Sequence, residues 1–386
     1  MFATAGLVIL AAAIARAHQA LLAEHPAVDI TQEPWASKYG AQKDLGYTGP
    51  LSFSHMPYAR CLEDASTPYD IAIIGLPFDT TTSYRPGARF GPFGIRSGSR
   101  RQSAGGYTLA WGASPYELGA SILDCGDVPL TAYDNMKAID QMEVAYDTLL
   151  MRPVKGGADG LYRSGTATMA LDGKEHPRMV ALGGDHTIVL PILRSLNKVY
   201  GPISVIHFDS HLGTRTPGAS DQERITHGSY FTIAFEENLM TNRSIHGGIR
   251  QKLANIEAID HDLVVGFHCI SAEDIDDYGV QGIIDKLRER VGDTPVYLSL
   301  DIDVIDPAFA PATGTPEAGG WTLREMKRIL RGLSGLNFVG ADIVEVAPAY
   351  DHADITCIAA ADLVHDLLTM MQLPSSPKPH GGPWAL

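Results

Sequence analysis

Three short stretches carry residue types able to do chemistry. "VIHFDSHLGT", Val205 to Thr214, alternates apolar and polar positions, fills the polar side with His207, Asp209 and His211, and then stops at Gly213. "ALGGDHT" ends in Asp185 and His186, and "YLSLDIDVIDP" supplies Asp301, Asp303 and Asp306. A strand turns alternate residues to opposite faces, so His207, Asp209 and His211 share one face, as do Asp301 and Asp303. A solvated amphipathic strand would alternate in the same way. The runs "ISVI" and "VYL" that precede these residues read instead as buried strands, and buried carboxylates without a cation are very costly. The pattern therefore points to a metal site. Its mix of imidazole and carboxylate suits manganese, zinc, iron or nickel better than calcium or a thiolate-bound metal.

The elements that must position these groups are short apolar runs separated by helical patterns. "YDIAIIGLPFD", "LGASILDCGDVPL", "RMVALGG", "ISVIHFD", "LVVGFHCI", "PVYLSLDID" and "FVGADIVEV" read as strands, and "DNMKAIDQMEVAYDTLLM" has helical spacing. Strands alternating with helices predict a parallel sheet covered on both faces. Such sheets place ligand sites at the carboxyl ends of their strands. Three adjacent strands ending in acids and histidines would converge on one cluster. Residues 152–178 are rich in Gly, Lys and Arg and lack periodicity, which reads as a surface insertion. Residues 373–386 read as a tail.

The chain has 386 residues and a net charge of −15. That length suits one large α/β domain, over 19–372, and the acidity excludes an electrostatic footprint for nucleic acid. The four cysteines, Cys61, Cys125, Cys269 and Cys357, form no CxxC pair. They read as buried free thiols, since spacing reveals neither a zinc site nor a disulfide framework. The N-terminal "MFATAGLVILAAAIARAHQ" has an apolar run from Ala5 to Ala15 and small residues near Ala17, which predicts a signal peptide over 1–18 and a secretory or extracellular location. The alternative is an N-terminal helix packed on a cytoplasmic protein. The sequon Asn242-Arg243-Ser244 fits the secretory route. No later stretch is long and apolar enough to span a membrane.

Five motifs in order, "GLPFDTTTSYRPGARFGP", "GGDHT", "HFDSHLG", "SLDIDVIDPAFAPATGTPEAGG" and "DIVEVAPAYDHADIT", resemble the ureohydrolase (arginase and agmatinase) family, on its agmatinase side and nearest to fungal agmatinase-like proteins. The resemblance implies a three-layer α/β/α arginase-like fold with a mainly parallel eight-stranded sheet. It implies two manganese ions, hydrolysis of a guanidinium group with release of urea, a small cationic guanidino substrate and a homo-oligomer. Carried over residue by residue, it makes His186, Asp209, His211, Asp301 and Asp303 metal ligands, with Asp209 and Asp301 bridging. It makes His227, in "THGSYF", a proton shuttle beside the leaving amine, with Asp209 and Asp303 as its catalytic companions. It assigns Glu345 to the guanidinium. His207 becomes a neighbour of the site, and Asp185 and Asp306 orient loops and ligands.

Two departures bear on this expectation. Where the family's pattern runs His-x-Asp-x-His-x-Asp, this chain has Gly213 in place of the last aspartate. The resemblance gives that aspartate both a metal to hold and a proton to handle, so the first metal site is expected to be altered. Arg215 stands where an aromatic residue is frequent in similar proteins, and a further cation would not help a cationic substrate. The arginase serine–glycine–asparagine pattern is missing, which favours agmatine or guanidinobutyrate over L-arginine. The alternatives are a repurposed mononuclear hydrolase of a specialised metabolite, similar to histone-deacetylase-like enzymes, and a catalytically impaired homologue with a binding role.

Overall fold

The computed structural model of the protein describes residues 50–102, 106–155 and 170–377. The expected leader over 1–18 lies outside them. Eight strands form one sheet: β1 (Ile71–Leu76), β2 (Ile122–Asp127), β3 (Arg178–Gly183), β4 (Ser204–Phe208), β5 (Ser244–Ile249), β6 (Phe267–Ser271), β7 (Val296–Asp301) and β8 (Phe338–Val344). Their order is β2-β1-β3-β8-β7-β4-β5-β6, and every neighbouring pair runs parallel. The insertion expected to reach residue 178 ends in β3, whose first residue is Arg178. Its residues 156–169 lie outside the described ones.

The nine helices among the described residues are α1 (Gly91–Gly98), α2 (Asn135–Leu150), α3 (Val189–Tyr200), α4 (Asp221–Arg224), α5 (Tyr230–Glu236), α6 (Glu257–Val265), α7 (Asp274–Val291), α8 (Leu323–Gly332) and α9 (Ile355–Met370). None is long and apolar enough to cross a membrane. Strand alternation divides the core into two layers. Ile71, Ile73, Val180 and Leu182 pack with helices α7, α8 and α9 on one side. Ala72, Ile74, Met179 and Ala181 pack with α2, α3 and α5 on the other. Six strands are buried throughout, whereas β2 and β6, the two edges, each show exposed positions. This is why the sequence reads as continuous apolar runs in the middle of the sheet.

Cys61 and Cys125 form a disulfide across 64 residues, tying the segment before β1 to edge strand β2. This corrects the reading of four free thiols; only Cys269 and Cys357 are free. The two cysteines meet through tertiary folding, which no local spacing rule records. Replacing both by serine is expected to cost about 2–4 kcal/mol of stability, because a bridge over a long loop restricts the unfolded chain. A denaturant titration without reductant measures this. An unchanged midpoint would mean the bridge contributes nothing.

Candidate metal centre

Four central strands deliver the site from their carboxyl ends. His186 begins the turn after β3, Asp209 and His211 follow β4, Asp301 closes β7, and Asp303 sits in the turn after it. The sequence pattern predicts three adjacent strands. In the structure β8 lies between β3 and β7 and brings Glu345 to the same place. The β3 end must pass close to the loop after β1, and Gly184 permits it: a Cβ there would stand 1.8 Å from the Phe78 carbonyl oxygen. Glu345 adopts φ +62°, a conformation rare for a non-glycine residue and typical of functional positions.

Asp209 is the hub. Its Oδ2 lies 3.1 Å from His186 Nδ1 and 2.9 Å from His207 Nε2, and its Oδ1 lies 3.2 Å from His211 Nδ1. Asp301 Oδ2 stands 3.1 Å from His186 Nδ1, and Asp303 Oδ2 stands 3.0 Å from His211 Nδ1. Two donor groups result, His186–His207–Asp209 and Asp209–His211–Asp303. Asp209, Asp301 and Asp303 are all buried. Three buried carboxylates facing the imidazoles of His186 and His211 are the donor chemistry a divalent metal needs.

The charges within this cluster set the proton affinities of its members. Burial and the charges of Asp303 and Asp209 push Asp301 well above the usual carboxylate range. Burial opposes ionisation of Asp209, but the imidazoles around it hold its carboxyl well below that range. Burial pulls His211 down, yet Asp303 and Asp209 outweigh it and raise the imidazole to about 12. His186 is likewise raised, against its burial, by Asp209 and Asp301. Metal binding must displace such protons, so affinity falls as pH falls. His207 behaves differently: burial, helped by His186 and His246, pushes it down to about 3 despite Asp209.

Glu345 and His227 form the wall beside this cluster. Glu345 Oε1 accepts the His186 backbone N–H at 2.9 Å and lies 3.0 Å from His227 Nδ1. Its Oε2 is buried without a partner. The Ser83 backbone N–H donates to His227 Nε2 at 3.0 Å. Burial lowers the His227 pKa, but the Glu345 hydrogen bond and charge, with Asp185, leave it raised. Asp185 accepts from Thr81 and Thr187, and Asp306 accepts from Ala308, Gly319 and Gly320, so both carboxylates bind loop amides rather than facing the cluster.

Sequence reasoning missed the layer behind the donors. Ser299 Oγ lies 2.8 Å from His186 Nε2 and donates to Asp342 at 2.9 Å, and Tyr297 donates to the same carboxylate. His207 Nδ1 meets His246 Nδ1 at 2.8 Å, and His246 Nε2 meets Asp262 at 3.0 Å. Such contacts fix which ring nitrogen faces a metal. The signal was present for Asp342, an acid inside the apolar run "FVGADIV". His246 gave no such signal, because its pairing with His207 across β4 and β5 is a register between strands.

Gly213 takes φ +71°, and a Cβ there would stand 2.8 Å from Tyr230 Oη, 3.0 Å from Tyr230 Cζ and 3.1 Å from Phe231 Cδ2. Tyr230 is fully buried, stacks on His186 at 4.9 Å and lies 3.1 Å from His207 Nε2 through its hydroxyl. Its ring therefore fills the space into which a side chain at 213 would grow.

A parallel three-layer α/β/α sheet whose central strand ends hold aspartates and histidines around a common point defines a hydrolase of the arginase fold. The Arginase family model matches residues 69–370, and the chain belongs to that family. It is 49% identical over 371 residues to "Putative agmatinase 1" of Schizosaccharomyces pombe, covering 94% of this chain and 92% of that protein. It is 36% identical over 303 residues to a guanidinobutyrase of Pseudomonas aeruginosa, covering 78% and 86%. Among solved structures, proclavaminate amidinohydrolase from Streptomyces clavuligerus matches with a TM-score of 0.74 at 33% identity, over 86% of this chain and 100% of that one.

Proposed function

We propose that the protein hydrolyses the guanidino C–N bond of a linear amidine, releasing urea, with manganese as its metal. The carrying observation is the unpartnered Glu345 Oε2, buried beside His227 at the edge of the donor cluster. A carboxylate oxygen so placed pairs with a planar guanidinium through charge-assisted hydrogen bonds. His186, Asp209, His211, Asp301 and Asp303 would hold the metal, which when bound supplies Lewis acidity and an activated water at neutral pH. Glu345 orients the guanidinium so that its carbon faces the cluster. His227, raised in pKa and braced by Glu345 and Ser83, delivers a proton to the leaving amine. The C–N bond breaks as the water oxygen joins the carbon, giving urea and a primary amine.

The altered first metal site belongs to this proposal. The space beside Gly213, taken by Tyr230, supports a first site built from His186, Asp209 and Asp301 without a fourth carboxylate. The intact Asp209–His211–Asp303 group supports a second reading, a mononuclear hydrolase. Secretion is proposed on the disulfide, which persists in oxidising compartments, on exposed Asn242 and on the signal-like leader.

The test is urea release from agmatine, 4-guanidinobutyrate and arginine, with and without added manganese, alongside metal content per chain. Manganese-dependent urea is the expected result. Full activity in strong chelator would overturn metal dependence, one tight metal per chain would favour the mononuclear reading, and no urea from any substrate would leave a binding role.

A further inference from the structure

The cavity in front of the cluster has a volume of about 400 Å³ and an uneven distribution of charge. Its inner end holds Asp209, Asp301 and Glu345, the only carboxylates in its lining among the described residues. Its outer wall holds Leu253, Ala254 and Ala258, which suit a methylene chain, and the cations Arg215 and Lys252. Lys252 is neutralised by Glu317 at 3.4 Å. Arg215 makes no side-chain hydrogen bond or ion pair among the described residues. It is nonetheless anchored: its backbone N–H donates to the Gly228 carbonyl at 2.8 Å. Its side chain runs against Gly228, where a Cβ would stand 3.1 Å from Arg215 Cδ and 3.4 Å from Nε. The glycine next to His227 thus makes room for a guanidinium on the pocket wall.

We propose that the substrate is a guanidino carboxylate, with its guanidinium at Glu345 and its carboxylate at Arg215. This rests on the guanidino-hydrolase reading and goes beyond it by fixing the sign of the far end. An anionic floor with a cationic outer wall complements a zwitterion of this kind. A diamine-like substrate such as agmatine would bring its ammonium against an unpaired arginine, and like charges select against a ligand as effectively as opposite charges select for one. Because Arg215 contacts the far end and not the reacting atoms, it contributes equally to ground state and transition state. Its loss therefore raises KM and leaves kcat little changed.

The experiment compares kcat and KM for 4-guanidinobutyrate and agmatine in the native protein, Arg215→Ala and Arg215→Lys. The native protein is expected to favour guanidinobutyrate by about tenfold or more in kcat/KM, the size of a well-placed charge contact. Arg215→Ala should remove most of that preference through KM, and Arg215→Lys should retain it. A native preference for agmatine, or a ratio that Arg215→Ala leaves untouched, would overturn the proposal while leaving the hydrolase reading in place. Urea from neither compound would overturn that reading. Calorimetric titration of the manganese-loaded protein then decides the charge question alone: tighter guanidinobutyrate keeps it, and equal, reversed or undetectable binding ends it.

Discussion

Asp209→Asn is expected to lower manganese-dependent urea release by roughly a thousandfold, the equivalent of several kcal/mol of lost transition-state stabilisation. The physical ground is that one carboxylate serves both donor groups. Oδ2 faces His186 and His207, Oδ1 faces His211, and Oδ1 also accepts the His211 backbone N–H at 2.7 Å. An amide keeps the shape but gives up the charge, and it can present only one oxygen to the imidazoles. His186 retains Asp301 and His211 retains Asp303, so each group loses its shared anion while keeping one partner. Metal content should therefore fall together with activity, and the fold should persist. Calorimetric manganese titration and circular dichroism check the two halves of this expectation. A variant that binds metal as the native protein does and turns over within tenfold of it would remove Asp209 from the centre of the chemistry.

Much of this centre is readable in the sequence because parallel strands announce themselves. Each buried strand is an apolar run, and each acid or histidine at its end breaks the run. Of His207, Asp209 and His211, His207 alone lies within β4, which stops at Phe208. Asp209 and His211 follow in the bend beyond it, where the His211 N–H donates to Asp209 Oδ1 at 2.7 Å, and His207 and His211 both touch the carboxylate between them. Asp301 and Asp303 converge in a similar way. The strand stops at Asp301, and Asp303 returns to the site through a 3-10 turn in which Asp301 accepts the Asp303 N–H at 2.8 Å. What stayed hidden depends on tertiary neighbours. Strand order inserts β8 between β3 and β7, and a linear reading has no access to that. The Cys61–Cys125 bridge joins positions that no spacing rule connects. His246–Asp262 reaches His207 from β5 and α6, and Ser299–Asp342 reaches His186 from β7 and β8. These are contacts across strands, and alternation specifies which face a residue occupies but not whom it meets there.

Gly213→Asp carries the second large effect, and its direction opposes what the motif alone suggests. Read as sequence, an aspartate at 213 restores the strand-end pattern that the resemblance implies and should strengthen the proposed first metal site. Read in three dimensions, the position has no vacancy. Aspartate tolerates the left-handed region better than most residues, so φ +71° is the lesser obstacle. The greater one is Tyr230, whose hydroxyl stands 2.8 Å and whose ring carbon Cζ stands 3.0 Å from the new Cβ. It is held by stacking on His186, by its hydroxyl contact with His207 and by Phe231 at 4.3 Å. Backbone strain and overpacking together should destabilise the single variant by about 2–4 kcal/mol, with no rise in urea release over the native protein. Tyr230→Ser removes the obstruction at its own cost in packing, and the cycle of both changes isolates the coupling. The penalty of Gly213→Asp should shrink by about 1–3 kcal/mol in the Tyr230→Ser background, and manganese should bind more tightly there than to either single variant. Thermal melts and manganese titrations of the four proteins read both quantities. If Gly213→Asp alone melts with the native protein and gains tenfold in activity, Tyr230 yields readily, and the proposed first site needs only the carboxylate.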